Sequence, residues 1–280
     1  MLSIANLNGV PVGHGHPVRI MGIINVSPES FYKGSIPSKG LSLKEMAHQM
    51  EEEGADFLDV GAMSTAPYLK TQISEQEEAK RLEKALRVIK KATKIPISVD
   101  TSRAWPARVA LQLGATILND VHGLKKDPDL AHLAKRFQGV ILMAHPEGHN
   151  ENMFSDPLKT ISVLWKESLR IAKKHDVPFS KIVLDPGIGF FRNAQLPWWK
   201  WDMSVIQALS KFNPFGRPLL VGISRKSFLK RFLNGAPPEE RLPASLVATL
   251  IAVQNGATLI RTHDVKDTRT MLNVAMSLLK

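Results

Sequence analysis

The chain has 280 residues, of which 44% are hydrophobic and none is cysteine, so it can fill a globular core but has no disulfide, thiolate metal site or cysteine nucleophile. The net charge is +11, yet the basic residues are mixed with glutamates along apparent helices, so we predict a solvated basic surface and no nucleic-acid partner, with attraction of small phosphorylated or carboxylate substrates as the functional alternative. No apolar run approaches the length of a membrane span and no signal peptide is recognisable, so we expect a soluble cytoplasmic protein without a membrane partner.

Short runs rich in Val, Ile and Leu recur along the chain, and each precedes a stretch with helical periodicity. The eight predicted strands are residues 19–25, 56–61, 96–100, 116–120, 139–144, 181–185, 218–223 and 258–261. Predicted helices between them include Leu43–Glu53, Glu75–Ala92, Ala104–Leu113, Ser162–Lys174 and Pro243–Asn255.

This alternation predicts a single (β/α)8 TIM barrel, with residues 1–280 forming one domain. Three of the helices run into a Gly-Ala pair just before the next strand, where glycine suits a helix C-cap, and the repetition indicates one repeated unit. A doubly wound open sheet is the alternative. It usually has fewer strands, and no glycine-rich dinucleotide fingerprint follows any strand here.

Polar residues stand at or just after almost every predicted strand, which is where a TIM barrel builds its active site. A single aspartate there can equally be the cap of the next helix, but caps do not require such a mixture of amides, carboxylates and cations. The residues concerned are Asn25, Asp59, Asp100, Asn119, Asp120, His145, Asp185, Ser224, Arg225, Lys226, Arg261, His263 and Asp264.

Three of these residues suit a flat heterocycle. Asp100 and Asp185 offer carboxylate acceptors, and Asn119 offers an amide with both a donor and an acceptor. A pterin or a purine complements these side chains, because its edge carries amino, ring N–H and carbonyl groups. Lys226 can donate to a ring carbonyl or nitrogen of the same ligand.

Arg261 ends the last predicted strand and His263 follows two residues later, so if the extended backbone continues their side chains point the same way. With Asn25 they form a candidate phosphate or diphosphate pocket, because a guanidinium binds phosphate oxygens bidentately. The alternative for Arg261 is a structural ion pair with Asp264 or with a neighbouring helix.

Two loops complete the predicted pocket. The turn at residues 185–190, DPGIGF, is tight, and Phe190 and Phe191 can flank an aromatic substrate. The segment at residues 222–228, GISRKSF, predicts a helix start that can receive a carboxylate or phosphate near Ser227.

Seven segments together resemble the dihydropteroate synthase family of pterin-binding barrels. They lie in the family's order between about residues 19 and 267: MGIINVSPESF, GADFLDVGAMST, ISVDTS, GATILNDVHGL, KIVLDPGIGF, LLVGISRKSFL and GATLIRTHDV. The resemblance implies a transferase of folate-type pterin biosynthesis. In that family a pterinylmethyl diphosphate loses diphosphate with the help of Mg2+, and 4-aminobenzoate or a related arylamine attacks the methylene carbon.

The resemblance also implies a role for each matching residue, and a homodimer. The catalytic residues would be Lys226, Arg261 and Asn25, with Asn25 nearest the Mg2+ ion. The pterin would be held by Asp100, Asn119, Asp185 and Lys226; the diphosphate by Asn25, Arg261 and His263; and the arylamine by Phe31, Pro67, Phe190, Lys226 and Ser227.

Three loops depart from the family pattern. Lys33 stands where the family has an acidic residue, Ala66 stands where it has an arginine, and LMAHPEG replaces a Met-His-Met-like run. These changes leave two alternatives open: a methyltransferase that moves methyl from a tetrahydropterin to a corrinoid protein, and a pterin-binding protein without synthase activity.

Overall fold

The computed structural model describes residues 3–27, 41–63, 72–150, 152 and 154–278. Its centre is a closed barrel of eight parallel strands, in which each strand pairs with the next along the chain and the last pairs with the first. The TIM-barrel prediction is therefore confirmed. The barrel strands are β3 (Arg19–Asn25), β4 (Phe57–Gly61), β5 (Ile97–Asp100), β6 (Ile117–Asp120), β7 (Gly139–Met143), β8 (Ile182–Asp185), β9 (Leu219–Val221) and β10 (Ala257–Thr262).

Helices surround the barrel, and several begin at a side chain that caps the first turn. Ser42 and Glu45 form a reciprocal capping box. The predicted start at Ser162 is wrong, because Asp156 caps that helix and its first residue is Pro157, five residues before Ser162. The helices are α1 (Leu43–Glu52), α2 (Glu75–Ala92), α3 (Ala104–Gln112), α4 (Pro128–Ala134), α5 (Pro157–Lys174), α6 (Trp198–Gln207), α7 (Leu242–Gln254) and α8 (Val265–Leu278).

A β-hairpin closes the amino-terminal end of the barrel. Its strands are β1 (Ile4–Leu7) and β2 (Val10–Gly13), and it is absent from the predicted elements. Leu7 is fully buried in a small apolar core, which the hairpin forms together with side chains of the barrel interior at this end. The other buried members of this core are Ala5, Val12, Met21, Phe57, Ile117, Ile141, Val183, Leu220 and Leu259.

The alternation of side chains along each strand positions the polar groups. Phe57 and Ile117 lie in the interior core, so Asp59 and Asn119, two residues further along their strands, also point into the barrel. Asp185 and Arg261 follow Val183 and Leu259 in the same way. Among the helices that the structure describes, none combines the length and the apolar character needed to cross a membrane.

Candidate active site

Arg261 is the centre of a buried polar network inside the carboxyl end of the barrel. Its Nε donates to Asp59 Oδ2 at 2.6 Å and its Nη2 donates to Asp100 Oδ2 at 2.8 Å. Asn119 Nδ2 donates to the same Asp59 oxygen at 2.9 Å. Side chains from four strands, β4, β5, β6 and β10, therefore meet around one guanidinium.

The two carboxylates of this network each keep an oxygen available. Asp59 Oδ1 and Asp100 Oδ1 are buried, and neither accepts a hydrogen bond from the part of the chain that the structure describes. Burial raises the pKa of Asp100 to about 7, although Arg261 opposes the shift. Burial also opposes protonation of Arg261, but Asp59 and Asp100 outweigh it and raise the pKa of the guanidinium. Buried acceptors that lack donors favour a ligand that brings N–H groups.

Asp185 and Lys226 form a second pair of ionisable groups at the same end. Asp185 Oδ1 accepts from the Gly187 backbone N–H at 2.8 Å, and burial raises the pKa of this carboxyl to about 6. Burial lowers the pKa of Lys226 to about 8, while the charge of Asp185 acts in the opposite direction. Lys226 Nζ lies 4.7 Å from the centre of the Phe190 ring, a cation–π distance.

The DPGIGF turn provides the space that Lys226 occupies. Gly189 has φ +86°, and a Cβ atom there would lie 3.0 Å from Lys226 Cδ. Asp202 fixes this backbone by accepting from the Gly189 N–H at 2.8 Å. The turn therefore needs glycine both for its left-handed conformation and for the approach of the lysine.

The two phenylalanines of this turn have different environments. Phe191 is fully buried and stacks on Trp201 with 4.7 Å between ring centres, so the expectation that it flanks a substrate is wrong. Phe190 lies against Lys226 and remains the candidate aromatic wall. Ser227, at the start of the short 3-10 helix Ser227–Phe232, accepts a hydrogen bond from Arg192 Nη2 at 2.8 Å.

His263 is held beside the last two strands by a separate network. Its Nδ1 lies 2.9 Å from Ser224 Oγ. Asp264 binds Arg225 through two hydrogen bonds, from Nε at 2.9 Å and from Nη2 at 2.5 Å. The alternative in which Arg261 pairs with Asp264 is therefore wrong, because Arg225 takes that partner and Arg261 turns into the barrel.

Asn25 ends β3 and lies close to Asp100 across Gly61. A Cβ on Gly61 would stand 3.4 Å from Asn25 Oδ1 and 3.7 Å from Asp100 Oδ2, but this Asp100 oxygen already accepts from Arg261. Mg2+ prefers oxygen ligands and completes its shell with water and substrate phosphates, so the Asn25 amide oxygen fits this ion. The predicted arylamine contacts Phe31 and Pro67 lie outside the described residues, as do Lys33 and Ala66.

Asp59 is a central residue of the site, although the sequence motifs assigned it no contact with a substrate. It is fully buried and accepts from both Asn119 and Arg261. Its spacing is the signal that could have identified it, because it lies two residues after Phe57 in a strand whose neighbours are otherwise apolar. A buried aspartate in such a strand needs partners in the barrel interior.

Comparison with known proteins identifies the family to which this arrangement belongs. Residues 21–263 match the family model described as "Pterin binding enzyme". The dihydropteroate synthase of Bacillus subtilis is 35% identical over 266 residues, which cover 93% of this chain and 88% of the relative.

Two solved structures extend this similarity to the whole chain. The dihydropteroate synthase of Coxiella burnetii in complex with pteroic acid is 34% identical, with a TM-score of 0.82 and coverage of 99% of this chain and 98% of that one. The dihydropteroate synthase of Xanthomonas albilineans with 4-aminobenzoic acid is 29% identical, with a TM-score of 0.84 and coverage of 100% and 99%.

Proposed function

This chain belongs to the dihydropteroate synthase family of pterin-binding enzymes, and we propose that it joins 6-hydroxymethyl-7,8-dihydropterin diphosphate to 4-aminobenzoate. The bond between the pterin methylene carbon and its oxygen breaks, and diphosphate leaves with the electron pair. The amino nitrogen of the arylamine bonds to that carbon and loses a proton. The chain is thus a transferase.

The observation that carries this proposal is the pair of buried acceptor oxygens, Asp59 Oδ1 and Asp100 Oδ1, inside the barrel mouth. A pterin brings a ring N–H and an amino group that can satisfy such acceptors. Asn119 on β6 and Asp185 on β8 add further hydrogen-bonding groups. A relative of 34% identity was solved with pteroic acid, which contains this ring.

The mechanism requires stabilisation of the leaving group more than a strong base. The ammonium of Lys226 can donate to the pterin ring, and His263 and Arg261 add donors on the diphosphate side. Mg2+, held by Asn25, would neutralise charge on the diphosphate oxygens when bound. Phe190 and Ser227 would orient the arylamine beside the methylene carbon.

Release of diphosphate tests the proposal directly. The full chain is mixed with 6-hydroxymethyl-7,8-dihydropterin diphosphate, Mg2+ and 4-aminobenzoate, and we expect equal amounts of diphosphate and dihydropteroate. Lys226→Met should abolish turnover, whereas Lys230→Met, which removes an exposed lysine of the short helix that follows Lys226, should not. No turnover combined with tight binding of a methyl-tetrahydropterin would instead favour the methyltransferase alternative.

A Lys226 variant tests the proposed mechanism better than an Arg261 variant, because Arg261 also stabilises the fold. Loss of the Arg261 charge would leave Asp59 and Asp100 facing each other without a cation in a buried site. Breaking a buried ion pair in this way costs about 3–5 kcal/mol of folding free energy. The activity of an Arg261 variant therefore does not separate a lost catalytic role from lost stability.

We also propose that two copies of this cytoplasmic enzyme associate through α7. The helix is apolar all round, yet Val247 and Ile251 are 61% and 41% exposed, and Phe232 lies beside them at 59%. A helix with no polar face needs a partner on both sides. Val247→Glu should convert a dimer into a monomer in sedimentation, and Val163→Glu, at an exposed site on α5, should not.

A further inference from the structure

Two histidines and a glutamate meet at the barrel mouth beside the proposed pterin site. His122 follows β6, and His145 and Glu147 follow β7. One donor atom from each residue lies within 4.8 Å of the others. The Nδ1 atoms of His122 and His145 lie 2.8 Å and 3.7 Å from Glu147 Oε2. Three potential metal ligands from two loops therefore converge on one point.

These contacts are not explained by hydrogen bonding. Both Nδ1 atoms are buried, and neither makes a hydrogen bond to any residue among those that the structure describes. The short distance from His122 to Glu147 thus lacks the orientation of a hydrogen bond. Buried ring nitrogens without partners are costly, and a bound ion would satisfy both of them together with the carboxylate.

We propose that His122, His145 and Glu147 bind one divalent transition-metal ion, and that Zn2+ suits the set best. Two imidazoles and one carboxylate are a ligand set of zinc sites that keep a further position for water. Imidazole nitrogen also favours late first-row metals over Mg2+, which prefers oxygen. This site is therefore distinct in chemistry from the Mg2+ position predicted at Asn25.

The cluster is only partly buried. The side chains of His122, His145 and Glu147 are 15%, 21% and 35% exposed, although the two Nδ1 atoms themselves are buried. The positive charges of Lys126, Lys125 and Arg103 act on His122, and they oppose the binding of a cation. Part of the Lys125 charge is balanced by Asp120, Glu147 and Glu167, and its Nζ donates to Ser168 Oγ at 3.1 Å.

The position of the ion gives it a structural consequence. The His145 ring lies 6.3 Å from the Phe190 ring, which in turn contacts Lys226. A metal at this position links the loops after β6 and β7 next to the aromatic wall of the substrate pocket. We therefore expect the ion to raise the melting temperature of the full chain without substrates present.

Co2+ and Zn2+ titrations of the chelator-treated full chain test this site. We expect one Co2+ ion per chain with the visible absorption of a site containing nitrogen ligands, and displacement by Zn2+ but not by an equal concentration of Mg2+. His122→Ala, His145→Ala and Glu147→Gln should each weaken Co2+ binding by at least about 100-fold, beyond the roughly 10–100-fold of an outer-shell loss.

His149→Ala is the matched control, because His149 lies on the same loop but pairs with Glu167 at 3.2 Å. It should bind Co2+ like the unchanged chain. Glu147→Gln preserves the shape of its side chain, and circular dichroism confirms that each variant is folded. The proposal is overturned if Co2+ gives no visible absorption, or if folded Glu147→Gln and His149→Ala bind equally well. None of these measurements requires synthase activity, so they are independent of the proposed function.

Discussion

Asp185 and Lys226 have pKa values that burial moves toward each other, one up to about 6 and the other down to about 8. The charged forms of both are the ones that the proposed pterin contacts need: a carboxylate that accepts and an ammonium that donates. Asp185 is ionised only above about pH 6, and Lys226 is protonated only below about pH 8. The window in which both are charged is therefore narrow and lies around neutral pH.

We accordingly predict a bell-shaped pH profile of kcat/KM for the pterin substrate. The acid limb should lie between about pH 6 and 7 because Asp185 and Asp100 take up protons there, and the alkaline limb near pH 8 because Lys226 loses one. Initial rates between about pH 5 and 10 measure both limbs, whereas an ordinary exposed lysine would place the second near 10.4.

Two conservative variants assign the limbs. Asp185→Asn removes one of the two titrating carboxyls, so the acid limb that remains should be that of Asp100, near pH 7. Lys226→Arg keeps its charge at high pH, so its residual activity should lack the alkaline limb at 8. If the variant turns over too slowly, the pH dependence of pteroic acid binding provides the same information. An alkaline limb that stays at 8 in Lys226→Arg would contradict the assignment.

Single residues also show where sequence reasoning stops. Asn119 and Asp120 are adjacent, and alternation along β6 sends the first into the barrel and the second outward, where Ser102 and two backbone N–H groups bind it. That difference is predictable. The difference between Arg225 and Lys226 is not, because Arg225 has φ +56° and turns to Asp264 through a loop conformation that residue types alone do not specify.

At the scale of elements, the N-terminal hairpin closes the end of the barrel opposite the site. Asn8 and Gly9 form its two-residue turn, with φ +52° and +88°, and Leu7 pairs with Val10. An Asn-Gly pair between short apolar runs is a recognised hairpin signal, so this element was predictable from the sequence. The barrel strands were predictable because buried parallel strands are continuous Val/Ile/Leu runs.

Leu7 should contribute strongly to stability through this hairpin. Leu7→Ala leaves a cavity at the base of the barrel, and we expect the free energy of unfolding in urea to fall by about 2–5 kcal/mol. Ile4→Ala is the control on the same strand. Ile4 is 36% exposed, so its loss should change the free energy by about 0.5 kcal/mol or less.

Gly139 on β7 provides a second check of this packing. A Cβ at Gly139 would lie 2.6 Å from Leu7 Cδ2, so Gly139→Ala alone should be destabilising through overpacking. Leu7→Ala removes the clashing atom, and the double variant should lose less free energy than the sum of the two single variants. Strict additivity would show that the hairpin does not pack into the barrel as described.

At the scale of the whole molecule, the net charge of +11 can act on substrates before they bind. Both proposed substrates are anions, and Lys126 and Arg192 follow strand ends at the barrel mouth, as does Arg103, whose charge Glu78 balances at 2.9 Å. A positive mouth raises the rate at which anions arrive, and salt weakens this attraction because the Debye length falls from about 30 Å at 0.01 M to about 10 Å at 0.1 M.

The charge at the mouth should therefore matter more than the total charge. We predict that kcat/KM for the pterin diphosphate falls as NaCl rises, and that Lys126→Glu lowers it several-fold at low salt but hardly at high salt. Lys91→Glu makes the same change of charge at an exposed site in the last turn of α2, near the amino-terminal end of the barrel, where β5 begins. It should leave kcat/KM close to that of the unchanged chain. Equal effects of the two variants would mean that substrates respond to the total charge of the molecule and not to a field concentrated at its mouth.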